Sequence, residues 1–101
     1  MTGANSLTLS GELIEREALR FTPAGVAVLA AKLAHRSSQR EAGFEREVGL
    51  EVSLVFADDQ ARRAEALALG ATLELEGFLA PRRLNSPVMV MHVRHFRVLT
   101  N

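Results

Sequence analysis

Alternation of apolar and polar residues dominates the chain and predicts a protein built mainly of strands. The clearest stretch is Phe44–Phe56, where apolar side chains at every second position face glutamates and Gly49 on the other side. Only Arg46 interrupts the apolar side, so this pattern predicts a strand with one buried face. Leu7–Leu13 alternates in the same way, and Val26–His35 is apolar enough for a strand that is buried on both faces.

The C-terminal part of the chain predicts one helix followed by two more strands. Asp58–Leu69 is rich in alanine and leucine, begins with two aspartates suited to helix capping and stops before Gly70. Thr72–Leu79 and Val88–Leu99 return to alternation and predict the fourth and fifth strands. Turn-forming or polar residues predict the main connections, which are Phe21–Gly25, Arg36–Gly43 and Pro81–Pro87.

This order of elements is that of an all-β OB fold, a five-stranded barrel with a short helix between strands 3 and 4. We therefore expect a single OB-fold domain over residues 1–101. An open five-stranded sheet covered by the helix would give the same order. An SH3-like barrel fits less well, because that fold has no helix at this point.

The amino-acid composition excludes several classes of protein. The chain contains no cysteine, which excludes disulfide staples, thiolate metal sites and thiol nucleophiles. The first residues lack the basic and apolar regions of a signal peptide, and the longest apolar run, Val26–Ala31, is too short to cross a bilayer. We expect a cytoplasmic protein without membrane association.

Few residues suggest catalysis. His92 and His95 are three positions apart, which places them on opposite faces of a regular strand and argues against a shared metal ion. The glutamates of the third strand are typical of a solvated strand face. No nucleophile elbow and no phosphate-binding glycine loop occurs in the sequence. The sequence predicts a protein that is not an enzyme and needs no cofactor.

The distribution of charge points to binding instead. Residues 1–76 hold eight basic and twelve acidic side chains, whereas residues 77–101 hold four arginines and no acid. Eleven of the twelve basic residues are arginines, whose planar guanidinium suits phosphate contacts; Lys32 is the exception. Arg82 and Arg83 lie in the loop between strands 4 and 5, where OB folds hold single-stranded nucleic acid or sugars.

A second basic group and one aromatic residue are harder to interpret. Arg36 lies next to His35 and close to Arg40, but neighbouring glutamates dilute its charge. Phe44 fits either the first position of the buried stripe of the third strand or a ring exposed for base stacking.

Four segments of the chain resemble the PriB family of bacterial OB-fold proteins, which act in replication restart. They are LTLSGELIE at the start, TPAG in the first turn, AHRSSQREAGFERE and LEGF, and the similarity runs from Leu7 to about Leu99. The resemblance implies a homodimer that binds single-stranded DNA without strong sequence preference. It also implies a bridge between the restart helicase and other primosome proteins. The residues to which it assigns DNA contacts are Arg20, Arg36, Phe44, Arg82 and Arg83.

The chain departs from the family pattern at the expected DNA site. Gly49 stands where well-studied relatives have tryptophan, and the loop with Arg82 and Arg83 is shorter and lacks lysine. Stacking of a base on an aromatic ring contributes ~1–3 kcal/mol, so we expect weak, salt-sensitive binding. A protein-interaction adaptor of the primosome with weak or vestigial DNA binding is the alternative, and an oligosaccharide- or RNA-binding module is a third. From the residues alone, the apolar segment Val88–Met91 is a hint of a dimer that core burial explains equally well.

Overall fold

The computed structural model describes residues 2–100, which form six strands and one short helix between β4 and β5. The elements are β1 (Leu7–Arg16), β2 (Arg20–Phe21), β3 (Ala27–Glu41), β4 (Phe44–Ala57), α1 (Asp59–Ala64), β5 (Thr72–Pro81) and β6 (Met89–Thr100).

Five of the strands close into a barrel. The sheet order is β1-β5-β6-β4-β3-β2, and an additional pairing between β1 and β3 completes the ring. β4 and β6 are parallel, with Leu54 opposite Met91, and the other pairs are antiparallel. The predicted OB fold is confirmed, and the ring excludes the open sheet. The two-residue strand β2, which pairs with β3, was not predicted because two residues carry no periodicity.

Gly11 marks the point where β1 changes partners. β1 pairs with β5 from Leu7 to Glu12 and with β3 from Glu12 onward. A β-carbon at Gly11 would overlap the carbonyl oxygen of Ala34, so only glycine permits this close approach of the two backbones. Gly11 therefore lies at a corner of the barrel.

The core fills the inside of the ring. Its largest fully buried side chains are Leu13, Leu29, Leu33, Leu54, Phe56, Leu73, Leu75 and Met91. Phe56 meets Phe96 edge to face, with ring centroids 5.3 Å apart. Burying each such side chain contributes roughly 1.5–3 kcal/mol, so the alternation in the sequence reflects the main stabilising term of the fold.

The predicted loop at Arg36–Gly43 is wrong. β3 continues to Glu41, and the connection to β4 is a two-residue turn at Ala42 and Gly43. Both turn residues have positive φ, 53° and 84°, as tight hairpin turns require. This part of the hairpin projects beyond the barrel, and its polar side chains resemble a loop in sequence because neither face enters the core.

The helix is shorter than the predicted Asp58–Leu69. After Ala64 the α-helical hydrogen bonds give way to bonds between residues three apart, as the amide of Leu67 donates to the carbonyl of Ala64 at 3.0 Å. The amide of Gly70 then donates to the carbonyl of Leu13 at 2.8 Å, so the chain must turn back to the barrel before a longer helix can form. Among residues 2–100, no helix has the length and apolar content needed to cross a membrane.

Candidate nucleic-acid interface

An open groove of about 800 Å³ lies on the outer surface of the barrel across β1, β3, β4 and β6. Ala30, Val55 and Val90 contribute its apolar part, since outward residues of β3, β4 and β6 meet there. Its ionisable side chains are Glu15, Arg16, Glu17, Arg20, Lys32, Arg82 and His92. We call this feature the groove.

Two of the arginines expected to contact DNA, Arg20 and Arg82, line the groove. Arg20 comes from β2 and Arg82 from the start of the β5–β6 loop. The guanidinium of Arg82 donates to the hydroxyl of Ser53 on β4 at 3.2 Å, which holds its side chain toward the groove. Arg83 is exposed but does not line the groove, so the structure separates the two adjacent arginines.

Lys32 is a groove cation that the sequence arguments missed. It lies on the outward side of β3, and its ammonium forms an ion pair with Glu15 at 3.3 Å. Such exposed pairs contribute at most about 1 kcal/mol, so a phosphate can compete with Glu15 for the lysine. Its position was visible in the sequence, since Lys32 and Arg36 share one side of a strand by alternation.

Arg16 is a second groove cation that the sequence arguments missed. One guanidinium nitrogen of Arg16 donates to the backbone carbonyl of Glu65, which orients the side chain from the end of β1. A lone arginine at the end of a strand gives no signal in sequence, because the groove wall opposite it comes from other segments.

Arg36 continues the same outward side of β3 beyond the groove. There β3 and β4 form a projecting hairpin of residues 36–49, which we call the arm. Arg36 lies directly opposite Gly49, and a β-carbon at Gly49 would meet no atom within 4 Å. The place of the family tryptophan is therefore open space beside Arg36.

Phe44 lies at the end of the arm and not in the core. Its side chain is 76% exposed, which excludes the buried-stripe interpretation. By strand alternation, Phe44 is on the side of the arm opposite Arg36. The ring is therefore accessible, but it does not adjoin the groove.

His35 fixes the base of the arm to β1. It is buried, and its Nδ1 lies 2.7 Å from the carbonyl oxygen of Ser10, to which it donates a hydrogen bond. Its Nε2 lies 2.8 Å from the hydroxyl oxygen of Ser37. That oxygen accepts a hydrogen bond from the side-chain amide of Gln39 at 3.0 Å. The histidine of the HRS segment thus positions the arm rather than facing a ligand.

The prediction that His92 and His95 face opposite ways is wrong. Consecutive residues of β5 pair with His95 and Val93, which leaves Arg94 as an extra residue in β6. This bulge shifts the alternation, so both histidines face outward. Within residues 2–100, no cluster of three or more metal-ligating side chains is present.

Comparison with known proteins gives the chain a family. Residues 5–95 match the model of a family described as another single-strand binding protein family. The replication restart protein PriB of Bordetella pertussis is 39% identical over 93 residues, covering 92% of this chain and 87% of the relative. The PriB of Nitrosomonas europaea is 32% identical over 95 residues, covering 94% and 88%.

Solved structures agree with these sequence relatives. The PriB protein of Ralstonia solanacearum has a TM-score of 0.87 at 31% identity, covering 96% of this chain and 99% of that one. The single-stranded DNA binding protein of Thermus aquaticus has a TM-score of 0.79 at 27% identity, covering this whole chain and 52% of that one. The chain therefore belongs to the single-strand binding protein family, and within it the chain is similar to the replication restart protein PriB.

Proposed function

We propose that this protein binds single-stranded DNA in replication restart, without strong sequence preference and without catalysing a reaction. The observation that carries the proposal is that Arg20 and Arg82 line the same open groove on the barrel. Most contacts of such proteins go to phosphates, which carry no sequence information. The printed names of the relatives, single-strand binding and replication restart, support the same function.

The arginines assigned to DNA contact have no carboxylate partner among residues 2–100, which supports the assignment. Among residues 2–100, none of Arg20, Arg36, Arg82 and Arg83 forms an ion pair. A phosphate approaching them displaces water and counterions rather than a protein carboxylate. In our proposal Arg20 and Arg82 bind phosphates of the DNA in the groove. Arg36 extends the path of the DNA along the arm, and Arg83 contacts the DNA where it leaves the groove.

Phe44 completes the proposed set of contacts. Its exposed ring at the end of the arm is available to stack on a base, which is the sequence-tolerant contact of single-strand binding proteins. The base of the arm that carries this ring is joined to β1 through His35.

A primosome adaptor is the second candidate function. The outward side of β4 carries Glu45 and Glu47 in the arm and Glu51 just below it, and these carboxylates repel phosphate and suit a basic protein surface. Leu84, at the tip of the β5–β6 loop, is 90% exposed and can anchor a protein contact. In this form the protein bridges the restart helicase and other primosome proteins while holding DNA weakly.

We also propose that the protein works as a cytoplasmic homodimer. The N-terminal half of β1 pairs with β5 along one edge only, because its pairing with β3 begins at Glu12. Unpaired strand edges readily add another strand. A second copy of the chain is the partner that the family resemblance favours.

The test is fluorescence anisotropy of a labelled oligothymidine at several salt concentrations, with a DNA duplex of equal length for comparison. If about four phosphates are bound, log affinity falls with log salt at a slope near −3. Arg82→Ala should weaken binding and make the slope shallower by about 0.7. Arg97→Ala is the matched control, because Arg97 pairs with Glu74 outside the groove.

The outcomes separate the two candidate functions. Selective binding of the single strand with the reduced Arg82→Ala slope supports the DNA-binding function. An absence of binding at low salt, together with capture of the restart helicase, would replace it with the adaptor. Equal losses for Arg82→Ala and Arg97→Ala would remove the groove from the DNA path.

A further inference from the structure

We propose that His92 is a base-stacking subsite of the groove, which takes a nucleobase of any identity on the free face of its imidazole. This inference rests on the proposed binding of single-stranded DNA and deepens it. It concerns the groove itself, which neither Gly49 nor Phe44 of the arm lines.

The imidazole of His92 has one face stacked on a neighbouring ring and the other turned toward the groove. His92 stacks on Phe78 of β5, with ring centroids 5.0 Å apart and an angle of 6° between the planes. β6 lies between β5 and β4, and Val55 of β4 is directly opposite His92. Because one face of the imidazole is against Phe78 on the β5 side, the other face looks toward β4, where His92 and Val55 both line the groove.

Neighbouring residues hold the ring in place before a ligand arrives. Phe78 directly opposes His92 in the β5–β6 pairing, so the two rings stand side by side on the outer surface. Arg94, the extra residue of the bulge, places its guanidinium 4.9 Å from the Phe78 ring centroid and supports the same stack. A ring ordered in advance loses little conformational entropy on binding, which favours its use as a stacking surface.

The surroundings of His92 have the chemistry of a nucleotide site. Ala30 and Val55 give the groove an apolar floor for a base, while Lys32 and Arg82 line the same groove and can bind the flanking phosphates. Histidine is among the side chains on which single-stranded bases stack. Since every base has a π face, this contact adds affinity without adding sequence preference.

The first experiment measures what the ring contributes. Binding of labelled oligothymidine and of an abasic oligonucleotide of equal length is compared for wild type, His92→Ala and His92→Phe. His92→Ala should weaken oligothymidine binding about 5- to 30-fold, leave the salt slope unchanged and leave abasic binding unchanged. His92→Phe should bind close to wild type. His95→Ala is the matched control, because His95 faces outward on the same strand but does not line the groove.

A second measurement reads the contact directly and does not depend on a variant that folds poorly. The chain has three histidines, so the proton NMR spectrum contains three pairs of imidazole C–H signals. On titration with oligothymidine, the His92 ring protons should move upfield under the ring current of the base, while those of His95 stay in place.

The results distinguish failure of this inference from failure of the proposed function. If wild type binds oligothymidine but His92→Ala binds equally well and the His92 signals do not move, the stacking subsite is overturned and DNA binding stands. Equal losses on abasic and normal DNA, or a shallower salt slope, would also overturn it, since both indicate a charge effect. If wild type does not bind single-stranded DNA at all, both proposals fall.

Discussion

Two glycines in the barrel strands, Gly77 on β5 and Gly49 on β4, differ in the space available for a side chain. A β-carbon at Gly77 would overlap the carbonyl oxygen of His92, because the strand bulge brings the two backbones together. A β-carbon at Gly49 would meet no atom within 4 Å. Glycine is therefore a steric requirement at the first position, whereas the second has room for any side chain.

Substitution of Gly77 should destabilise the protein. We expect Gly77→Ala to lower the free energy of unfolding by about 2–3 kcal/mol, because the backbone of β6 cannot move away without disturbing the barrel closure. For a chain of this size each kcal/mol lowers the melting temperature by roughly 4–8 °C, which thermal unfolding followed by circular dichroism measures. Gly49→Ala is the control and should melt close to wild type; equal melting of both variants would contradict the prediction.

Restoring an aromatic residue at position 49 should strengthen DNA binding. The space is open, and Arg36 lies directly opposite on β3, so an indole there can stack on a base while the arginine binds the adjacent phosphate. We expect Gly49→Trp to raise the affinity for oligothymidine about 5-fold or more. DNA should also quench the fluorescence of the new tryptophan, which can be followed without interference because the wild-type chain contains no tryptophan.

Gly49→Leu separates stacking from simple apolar contact. Leucine adds apolar surface without an aromatic ring and should leave the affinity near that of wild type. Equal gains for the leucine and tryptophan variants would show that stacking is not the cause, and no gain for tryptophan would place the DNA path elsewhere.

At the scale of elements, burial decides what the sequence could predict. Strands with one face in the core show alternation, so the barrel order followed from the pattern. The arm has no core face, so its start at Arg36 resembled a loop, and the bulge at Arg94 reversed the facing of His95 without any signal in the sequence. Arg20 and Arg82 come to line one groove through barrel closure, which residue spacing cannot indicate.

The junction between β4 and α1 contains local strain that substitution can remove. Asp58 has φ 57° and ψ −127°, a conformation favoured by glycine, and its side chain makes no capping hydrogen bond. Such strain costs ~1–3 kcal/mol, against about 0.5–1 kcal/mol for the greater freedom of an unfolded glycine. We therefore expect Asp58→Gly to raise the free energy of unfolding by about 1 kcal/mol, measured by urea titration.

Asp59→Gly is the matched control for this junction. Asp59 is the first residue of α1, so glycine there should lower the stability by up to ~1 kcal/mol. A higher free energy of unfolding for Asp58→Gly and a lower one for Asp59→Gly would support backbone strain at Asp58. A loss of stability for Asp58→Gly would contradict it.

At the scale of the whole molecule, the proposed dimer would form at the edge of β1 before Glu12, which pairs with no other strand among residues 2–100. The carbonyl of Ser10 bonds to His35 on the side away from β5, so by strand alternation Thr8 and Ser10 direct their backbone groups to the unpaired edge. Leu7 and Leu9 direct theirs to β5. A second copy adding to this edge would therefore use the amide of Thr8 as a donor.

Proline at position 8 should break the proposed dimer without breaking the barrel. Thr8→Pro removes the amide donor on the free edge and keeps the β1–β5 hydrogen bonds, and proline is tolerated on edge strands. Light scattering at micromolar concentration should give wild type twice the 11.0 kDa mass of the chain and Thr8→Pro the single mass. Thr8→Val keeps the amide and should remain dimeric. A monomeric wild type would overturn the dimer, whereas a dimeric, folded Thr8→Pro would keep the dimer and move its interface away from the β1 edge.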